Sequence, residues 1–456
     1  MMLWVYSWLM WLAQPFLRRK LLRRSVQELG YGQGIEERFG RYAQPVPAHD
    51  GPTVWLHAVS LGETRAAAVL VTALRQQLPH MRLLLTHGTA TGRAEGLKLL
   101  QAGDLQAWQP WDTPGAVQRF LNHFKPELGI LMETEVWPNL AHGCQRLGVP
   151  LVLVNARLSN KSLRQAQRLA WLARPAFAAL AGVWAQTPQD AQRLQSLGAK
   201  VQGVAGNLKF DAAPNAAQLA LGQQWRAQGS KPVVMFASSR EGEEQALLEI
   251  LHHATNHRPE GGPPTEKETP VGAAPSPRLP PGLSVSAIPE PVHWLIVPRH
   301  PQRFDDVAQL IESHGFTVQR RSAWGQGGPA AVAHQKPVIW LGDSLGEMAL
   351  YYGLADVALL GGSFEPLGGQ NLIEAAACGC PVVMGPHTFN FMEAAEQAQA
   401  AGAALRVADL AEAVAVARAL CFDRPRSEVV RQAAKRFAQS HQGAAQRLAE
   451  VLVSEI

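Results

Sequence analysis

Four short turns place a small hydroxyl or amide residue three positions ahead of a glutamate: Ser60-Leu-Gly-Glu63, Ser238-Ser-Arg-Glu241, Ser344-Leu-Gly-Glu347 and Asn371-Leu-Ile-Glu374. Taken alone, each fits a capping box, in which the first side chain and the glutamate satisfy exposed N–H groups at a helix start. Their meaning changes if they stand at the carboxyl ends of parallel strands, where open α/β sheets bind ligands. Glu63 ends the run His57-Ala-Val-Ser-Leu-Gly-Glu63 behind a buried strand. A partly desolvated carboxylate there, with a raised pKa, can take the proton of an attacking hydroxyl. The run Met132-Glu-Thr-Glu-Val-Trp-Pro138 puts Glu133 and Glu135 at another strand end. Two such acids suit sugar hydroxyls, a metal or a base, or simple pairing with a helix dipole before Pro138. His57, Ser60, Glu133 and Glu135 are the candidate contacts for an acceptor sugar.

The segment Gly361-Gly-Ser-Phe-Glu-Pro-Leu-Gly-Gly-Gln-Asn371 follows one strand and opens a helix near Leu372. Glycines admit a ligand close to the backbone, and the N–H groups of such a loop and first turn suit a phosphate. Ser363, Gly368, Gly369 and Asn371 are its candidate contacts. The loop has neither the GK[ST] of a Walker loop nor the GxGxxG fingerprint, so ATPase and dehydrogenase readings lose support. Glu374, one turn into the helix, can accept two hydrogen bonds from a ribose diol. Arg299, framed by two prolines in Ile296-Val-Pro-Arg-His-Pro301, is a candidate contact for a phosphate or sugar carboxylate. No HxE, DxD or HExxH grouping accompanies the acids, which argues against a metal enzyme.

These residues need parallel strands to hold them, and from about residue 52 short β-rich apolar runs alternate with amphipathic stretches, as in βαβ units. Strands are expected at Thr53–Val59, Arg82–Thr86, Leu128–Met132, Leu151–Val154 and Val183–Gln186, with helices such as Thr64–Leu78 and Gln189–Leu197. The series restarts at Val233–Ala237 and continues through Val292–Val297, Val338–Leu341, Asp356–Leu360 and Val382–Met384. A chain of 456 residues exceeds the roughly 250–300 that one core serves. The expected fold is α/β, two Rossmann-like doubly wound domains facing a cleft, at 45–205 and 231–425, joined by a linker at 206–230 whose polar, Ala- and Gln-rich residues can also supply a helix. Arg258–Pro291, with ten prolines, reads as a loop insertion. The terminal stretch 426–456 reads as a helix returning to the first domain.

The first 25 residues form a different kind of segment. Met2–Leu17 is apolar apart from Ser7, Gln14 and Pro15, with Trp4, Trp8 and Trp11 at helical spacing, followed by Arg18, Arg19, Lys20, Arg23 and Arg24. Sixteen residues at about 1.5 Å each fall short of a hydrocarbon core of roughly 30 Å, so interfacial insertion competes with spanning. The cations follow the apolar run and no cleavage site appears, unlike a signal peptide. They keep the body of the protein cytoplasmic. A helix docked with its tryptophans in a protein core is the alternative. Without these five cations the net charge of +5 vanishes, so the chain's basicity favours a membrane surface over nucleic acid. The four cysteines lack CxxC spacing and read as buried thiols.

Taken in order, His57 to Glu63, Glu133-Thr-Glu-Val-Trp-Pro-Asn139, Asn155-Ala-Arg-Leu-Ser159, Gly206-Asn-Leu-Lys-Phe-Asp211, Pro298-Arg-His-Pro301, Gly342-Asp-Ser-Leu-Gly-Glu347, Gly361 to Glu374 and Gly385-Pro-His-Thr-Phe-Asn-Phe391 resemble the motifs of the 3-deoxy-D-manno-octulosonic acid (Kdo) transferases. The likeness spans roughly residues 5 to 425. It implies an inverting, cofactor-free GT-B glycosyltransferase of lipopolysaccharide synthesis on the cytoplasmic face of the inner membrane. CMP-Kdo would be the donor and the tetraacyl-disaccharide bisphosphate precursor of lipid A the acceptor, with no nucleic acid and no obligate protein partner. Carried over by position, Glu63 is the general base. Ser363, Gly368, Gly369 and Asn371 line the donor phosphate, Glu374 the ribose, and Arg299 with Gly342, Ser344, Gly346 and Glu347 the nucleotide. Two departures stand out: Gln370 replaces a frequent His, and 258–291 is longer than the usual connector. A GT-B enzyme using a UDP-sugar, or a non-catalytic membrane-docked nucleotide-sugar binding protein, would share much of this pattern.

Overall fold

The computed structural model describes residues 2–256, 291–329 and 336–456, so the expected insertion lies, apart from Pro291, outside the described residues. The chain divides into two compact units, Met1–Ala212 with His441–Ile456, and Ala213–Ser440.

The first unit is built on a parallel seven-stranded sheet: β1 Thr53–His57, β2 Arg82–His87, β3 Leu105–Trp108, β4 Leu128–Met132, β5 Leu151–Ala156, β6 Gly182–Ala185 and β7 Val201–Val204. Their spatial order is β3-β2-β1-β4-β5-β6-β7. Helices cover both faces, so the central strands are apolar throughout rather than alternating. Val54 and Leu56 join one core layer with the helices Leu61–Gln77 and Ala444–Val453, while Trp55 joins the other with Phe120, Phe124 and Leu140.

The second unit repeats the design with β8 Val233–Ser239, β9 His293–Pro298, β10 Thr317–Arg320, β11 Val338–Leu341, β12 Val357–Leu360, β13 Val382–Met384 and β14 Ala404–Arg406, in the order β10-β11-β9-β8-β12-β13-β14. Strand order reverses direction between β1 and β4 in one sheet and between β8 and β12 in the other, which are the positions where doubly wound sheets open a ligand crevice.

Of the two stretches outside the sheets, one follows the sequence reading and one differs. Within 206–230 the chain forms a 13-residue helix in the stretch that could supply one, Ala216–Gln228, and it packs closely on the helix Met348–Leu354 of the second unit. Gly222 and Gly353 permit this, since a Cβ on Gly222 would lie 2.1 Å from the Leu350 carbonyl oxygen. The stretch 426–456 is two helices rather than one, Arg424–Ser440 and Ala444–Val453, broken at Gly443 with φ +91°. The earlier helix packs within the second unit, and only Ala444–Val453 packs on Leu61–Gln77. Asp211 holds the break by accepting the N–H groups of Gly443 and Ala445 at 2.5 Å each.

The N-terminal helix runs Met2–Gln27. Tyr6, Ser7, Met10, Ala13, Leu17 and Leu21 recur at three- and four-residue intervals on the half-buried or buried side. Ser7 Oγ donates to Asn139 Oδ1 at 2.8 Å, tying this side to the helix Pro138–Leu147. The tryptophans take the opposite side, with Trp4 64%, Trp8 49% and Trp11 58% exposed, which excludes the alternative of a tryptophan face buried in a core. Among the described residues no helix is long and apolar enough to cross a membrane.

Candidate functional site

In the first unit the acids stand at the two strands of the switch point. Ser60 caps the helix Leu61–Gln77, accepting the Glu63 N–H at 3.4 Å and donating to Glu63 Oε1 at 2.9 Å. Glu63 Oε2 accepts the Val59 N–H at 2.9 Å. Capping and chemistry are therefore compatible, because each carboxylate oxygen keeps a further acceptor position and the box fixes where it points. Burial raises the Glu63 pKa above the ordinary value of 4.5; the Val59 N–H opposes this, and Glu133 and Glu135 reinforce it. Glu135 is also raised by burial, against a 3.1 Å hydrogen bond from Trp137 Nε1.

Glu133 lies just beyond β4 with φ +58°, Asn155 in β5 has φ +51° and Ser238 in β8 has φ +56°. Non-glycine residues in this region cost of order 1–3 kcal/mol and persist where partners over-determine them, as at functional edges. The partners are present: Glu133 takes Arg157 Nε at 2.9 Å and Lys209 Nζ at 3.3 Å, and Asn155 Oδ1 takes the Leu208 N–H at 3.1 Å. Asn155 Nδ2 is buried and has no hydrogen-bond partner among the described residues. Lys209 comes from 76 positions away, a pairing invisible to spacing.

His57 does not join this group. Its ring is 1% exposed and bonds to Thr86 through Nδ1, 3.1 Å from the carbonyl oxygen and 3.0 Å from Oγ1. Burial, with His87 nearby, pushes it down to about 3, so it is a neutral core histidine rather than a sugar contact.

In the second unit the Ser238 turn is not a capping box with Glu241. Gly242, at φ +88°, delays the helix to Glu243, and the exposed Glu241 carboxylate pairs with Arg303 at 3.2 Å and Arg240 at 3.5 Å instead of capping. Glu243 and Glu244, which the motif reading passed over, are the buried acids. The Glu243 carboxylate accepts N–H groups from Arg240 at 3.0 Å, Gly362 at 2.8 Å and Phe364 at 3.3 Å. Glu244 accepts Ser239 Oγ at 2.8 Å and two Arg303 nitrogens at 2.9 and 3.2 Å. The turns after β8 and β12 are thus joined across the switch point by one carboxylate.

That contact redraws the glycine-rich loop. Its leading N–H groups face Glu243, and Ser363 is fully buried, its hydroxyl donating to the Leu360 carbonyl and accepting the Gly385 N–H at 2.9 Å. Ser363 is a structural contact and does not line a phosphate. Gly368 and Gly369 take φ +92° and +73°, and Asn371 Oδ1 accepts the Ile373 N–H at 3.0 Å. Among the described residues the N–H groups of Gln370, Asn371 and Leu372 meet no protein acceptor, so the donors left open by the loop are at this end. Glu374 follows on the short helix Ile373–Ala377.

Gly342 ends β11 where a Cβ would lie 2.8 Å from Val297. Beyond it Gly346 has φ +77°, Glu347 is half-buried against Arg321 at 2.9 Å, and Ser344 bonds both Glu347 and Tyr351. The helix starts only at Met348, so this turn is an ion-pair network instead of a capping box. Arg299 is exposed at the end of β9, its N–H donating to the Ser239 carbonyl at 3.0 Å. Among the described residues no group of three His, Cys, Asp or Glu is arranged to hold a metal.

The family model for 3-deoxy-D-manno-octulosonic-acid transferase (kdotransferase) matches residues 33–212. The 3-deoxy-D-manno-octulosonic acid transferase of Bordetella pertussis is 46% identical over 421 residues, covering 91% of this chain and 90% of that protein. The chain belongs to the Kdo transferase family. It is a glycosyltransferase, and the Haemophilus influenzae member is 30% identical over 98% of this chain and 97% of its own length. A solved glycosyltransferase from Rickettsia africae matches 89% of this chain and 98% of its own, with TM-score 0.54 at 13% identity, which establishes a GT-B-like fold.

Proposed function

We propose that this chain transfers Kdo from CMP-Kdo to a hydroxyl of the tetraacyl-disaccharide bisphosphate precursor of lipid A, with inversion, at the cytoplasmic face of the inner membrane. The observation that carries the reading is the half-buried Glu63 carboxylate, held by two hydrogen bonds and raised above the usual carboxylate range. In the proposed step Glu63 takes the acceptor O–H proton while that oxygen bonds to the anomeric carbon of Kdo. The bond from that carbon to the cytidylate phosphate breaks, its electron pair leaving with CMP.

Glu133 and Glu135 contact the acceptor sugar and, as like charges, keep Glu63 a stronger base. Glu133 does so with its charge already matched by Arg157 and Lys209. On the donor side, the N–H groups of Gln370 to Leu372 receive the phosphate beside Gly368 and Gly369, whose positive φ shapes the loop, Glu374 the ribose, and Arg299 with the 342–347 turn the nucleotide. The exposed tryptophan side of the N-terminal helix lies in the membrane interface, where indoles are favoured, near an acceptor whose acyl chains remain in the bilayer.

Purified full-length chain, labelled CMP-Kdo and the tetraacyl precursor, incubated with EDTA, should give a lipid product carrying Kdo. No transfer, or equal use of a UDP-sugar in competition, overturns the assignment.

A further inference from the structure

The chain's excess of positive charge comes from two stretches of the first unit. Residues 1–27 hold five cations and residues 136–189 six, and neither holds an Asp or Glu. The whole chain has 42 cations and 37 acids, so taking those eleven away leaves 31 against 37, a net −6. A protein with net charge +5 is therefore acidic outside these stretches.

The structure brings parts of both together. The helix Asn160–Arg168 buries no residue, and Lys161, Arg164 and Arg168 on it are exposed. The next helix, Ala170–Ala178, carries exposed Arg174 and Trp171, with Leu169 exposed at the junction. This second helix packs against the N-terminal helix, whose tryptophans point outward. A bare cationic helix joined to an exposed indole and leucine, beside a second helix of the same character, matches a headgroup layer: cations for lipid phosphates, aromatic and aliphatic groups for the interface beneath.

We infer that residues 160–174 form a second membrane contact, which with the N-terminal helix docks the first unit on an anionic bilayer. This rests on the reading that the N-terminal helix lies on the membrane, and it adds a distant segment with its own role. One helix alone leaves the protein free to rotate about its axis; a second contact fixes which face meets the lipid. Cationic segments near an anionic surface act within a Debye length, so the contribution is salt-dependent.

The test uses the full-length chain, sedimented with vesicles of phosphatidylcholine alone or mixed with phosphatidylglycerol. Two variants are compared: Lys161→Gln/Arg164→Gln/Arg168→Gln, and Trp4→Ser/Trp8→Ser/Trp11→Ser. All six side chains are exposed, and circular dichroism confirms folding. The triple charge variant is expected to lose about 10- to 100-fold in partition onto mixed vesicles at low salt, and little on neutral ones. Unchanged binding by that variant, or equal loss on neutral vesicles, overturns the second contact. If the tryptophan variant alone loses binding, the membrane reading stands and this inference fails. Displacement by inorganic phosphate beyond that by chloride of equal ionic strength would point to a discrete phosphate pocket and overturn it as well.

Discussion

At the scale of single residues, a carboxylate's role here is set by what its two oxygens already hold. Glu63 keeps acceptor capacity beyond Val59 N and Ser60 Oγ, and burial has made its proton affinity useful. Glu63→Gln should leave the helix capped by Ser60 and lower kcat by roughly 10²-fold or more. The wild-type rate should rise with pH through a titration above the ordinary carboxylate range, because only the ionised form accepts the proton, and this limb should vanish in the variant. A rate falling by less than a few-fold would leave Glu63 as a cap only. Glu243 presents the contrasting case, since its carboxylate is held by three backbone N–H groups from two different turns. Glu243→Gln replaces one acceptor oxygen by a donor facing an N–H. The KM for the donor should rise more than the KM for the acceptor, and an equal change in both would deny Glu243 its hold on the loop.

At the scale of elements, the strands legible in the chain were those inside each sheet. The four that were missed, β3, β7, β10 and β14, are the four sheet edges. Leu-Gln-Ala-Trp, Val-Gln-Gly-Val, Thr-Val-Gln-Arg and Ala-Leu-Arg interrupt their apolar residues because an edge has a neighbour on one side only, so the continuous hydrophobic run of a buried parallel strand is absent. Glycine has a comparable positional meaning in the second sheet. A Cβ on Gly361 would meet the Ser238 carbonyl oxygen at 2.3 Å, backbone against backbone, where β12 and β8 deliver their turns. Gly361→Ala should destabilise the second unit by about 1–3 kcal/mol, measured by denaturant unfolding, with lost donor binding. In the first sheet His87 is buried, with Nδ1 2.9 Å from the Ala58 carbonyl and Nε2 3.1 Å from Gln106, and burial pushes it down to about 4. A histidine depressed on folding contributes stability that is complete above its unfolded pKa and is lost as pH falls toward the folded one. Thermal stability should therefore drop as pH falls from about 6.5 toward 4, less steeply for His87→Gln.

At the scale of the whole molecule, the N-terminal helix inverts the usual amphipathic arrangement. Its docking side is Tyr6, Ser7, Met10, Ala13, Leu17 and Leu21, while Trp4, Trp8, Trp11 and Phe16 face outward. A helix docked on a soluble protein usually buries its indoles, and in the proposed function the exposed row meets the membrane interface. Trp4→Ser/Trp8→Ser/Trp11→Ser should move the protein from the membrane pellet to the supernatant while transfer to a detergent-dispersed acceptor persists. Retention in the pellet at high salt would refute this.

The sequence by itself determined the family, the repeated βαβ plan and the order of the motifs, because strand runs, glycine loops and capping patterns are local and survive in linear order. Only the tertiary structure decided which groups are available for chemistry. His57 and Ser363 carry suitable atoms yet are sealed inside. Glu243 displaces Glu241 because Gly242 shifts the helix start by two residues, and Glu133 finds Lys209 from 76 positions away. Burial and partnership depend on contacts between segments far apart in the chain, and no spacing within one segment records them.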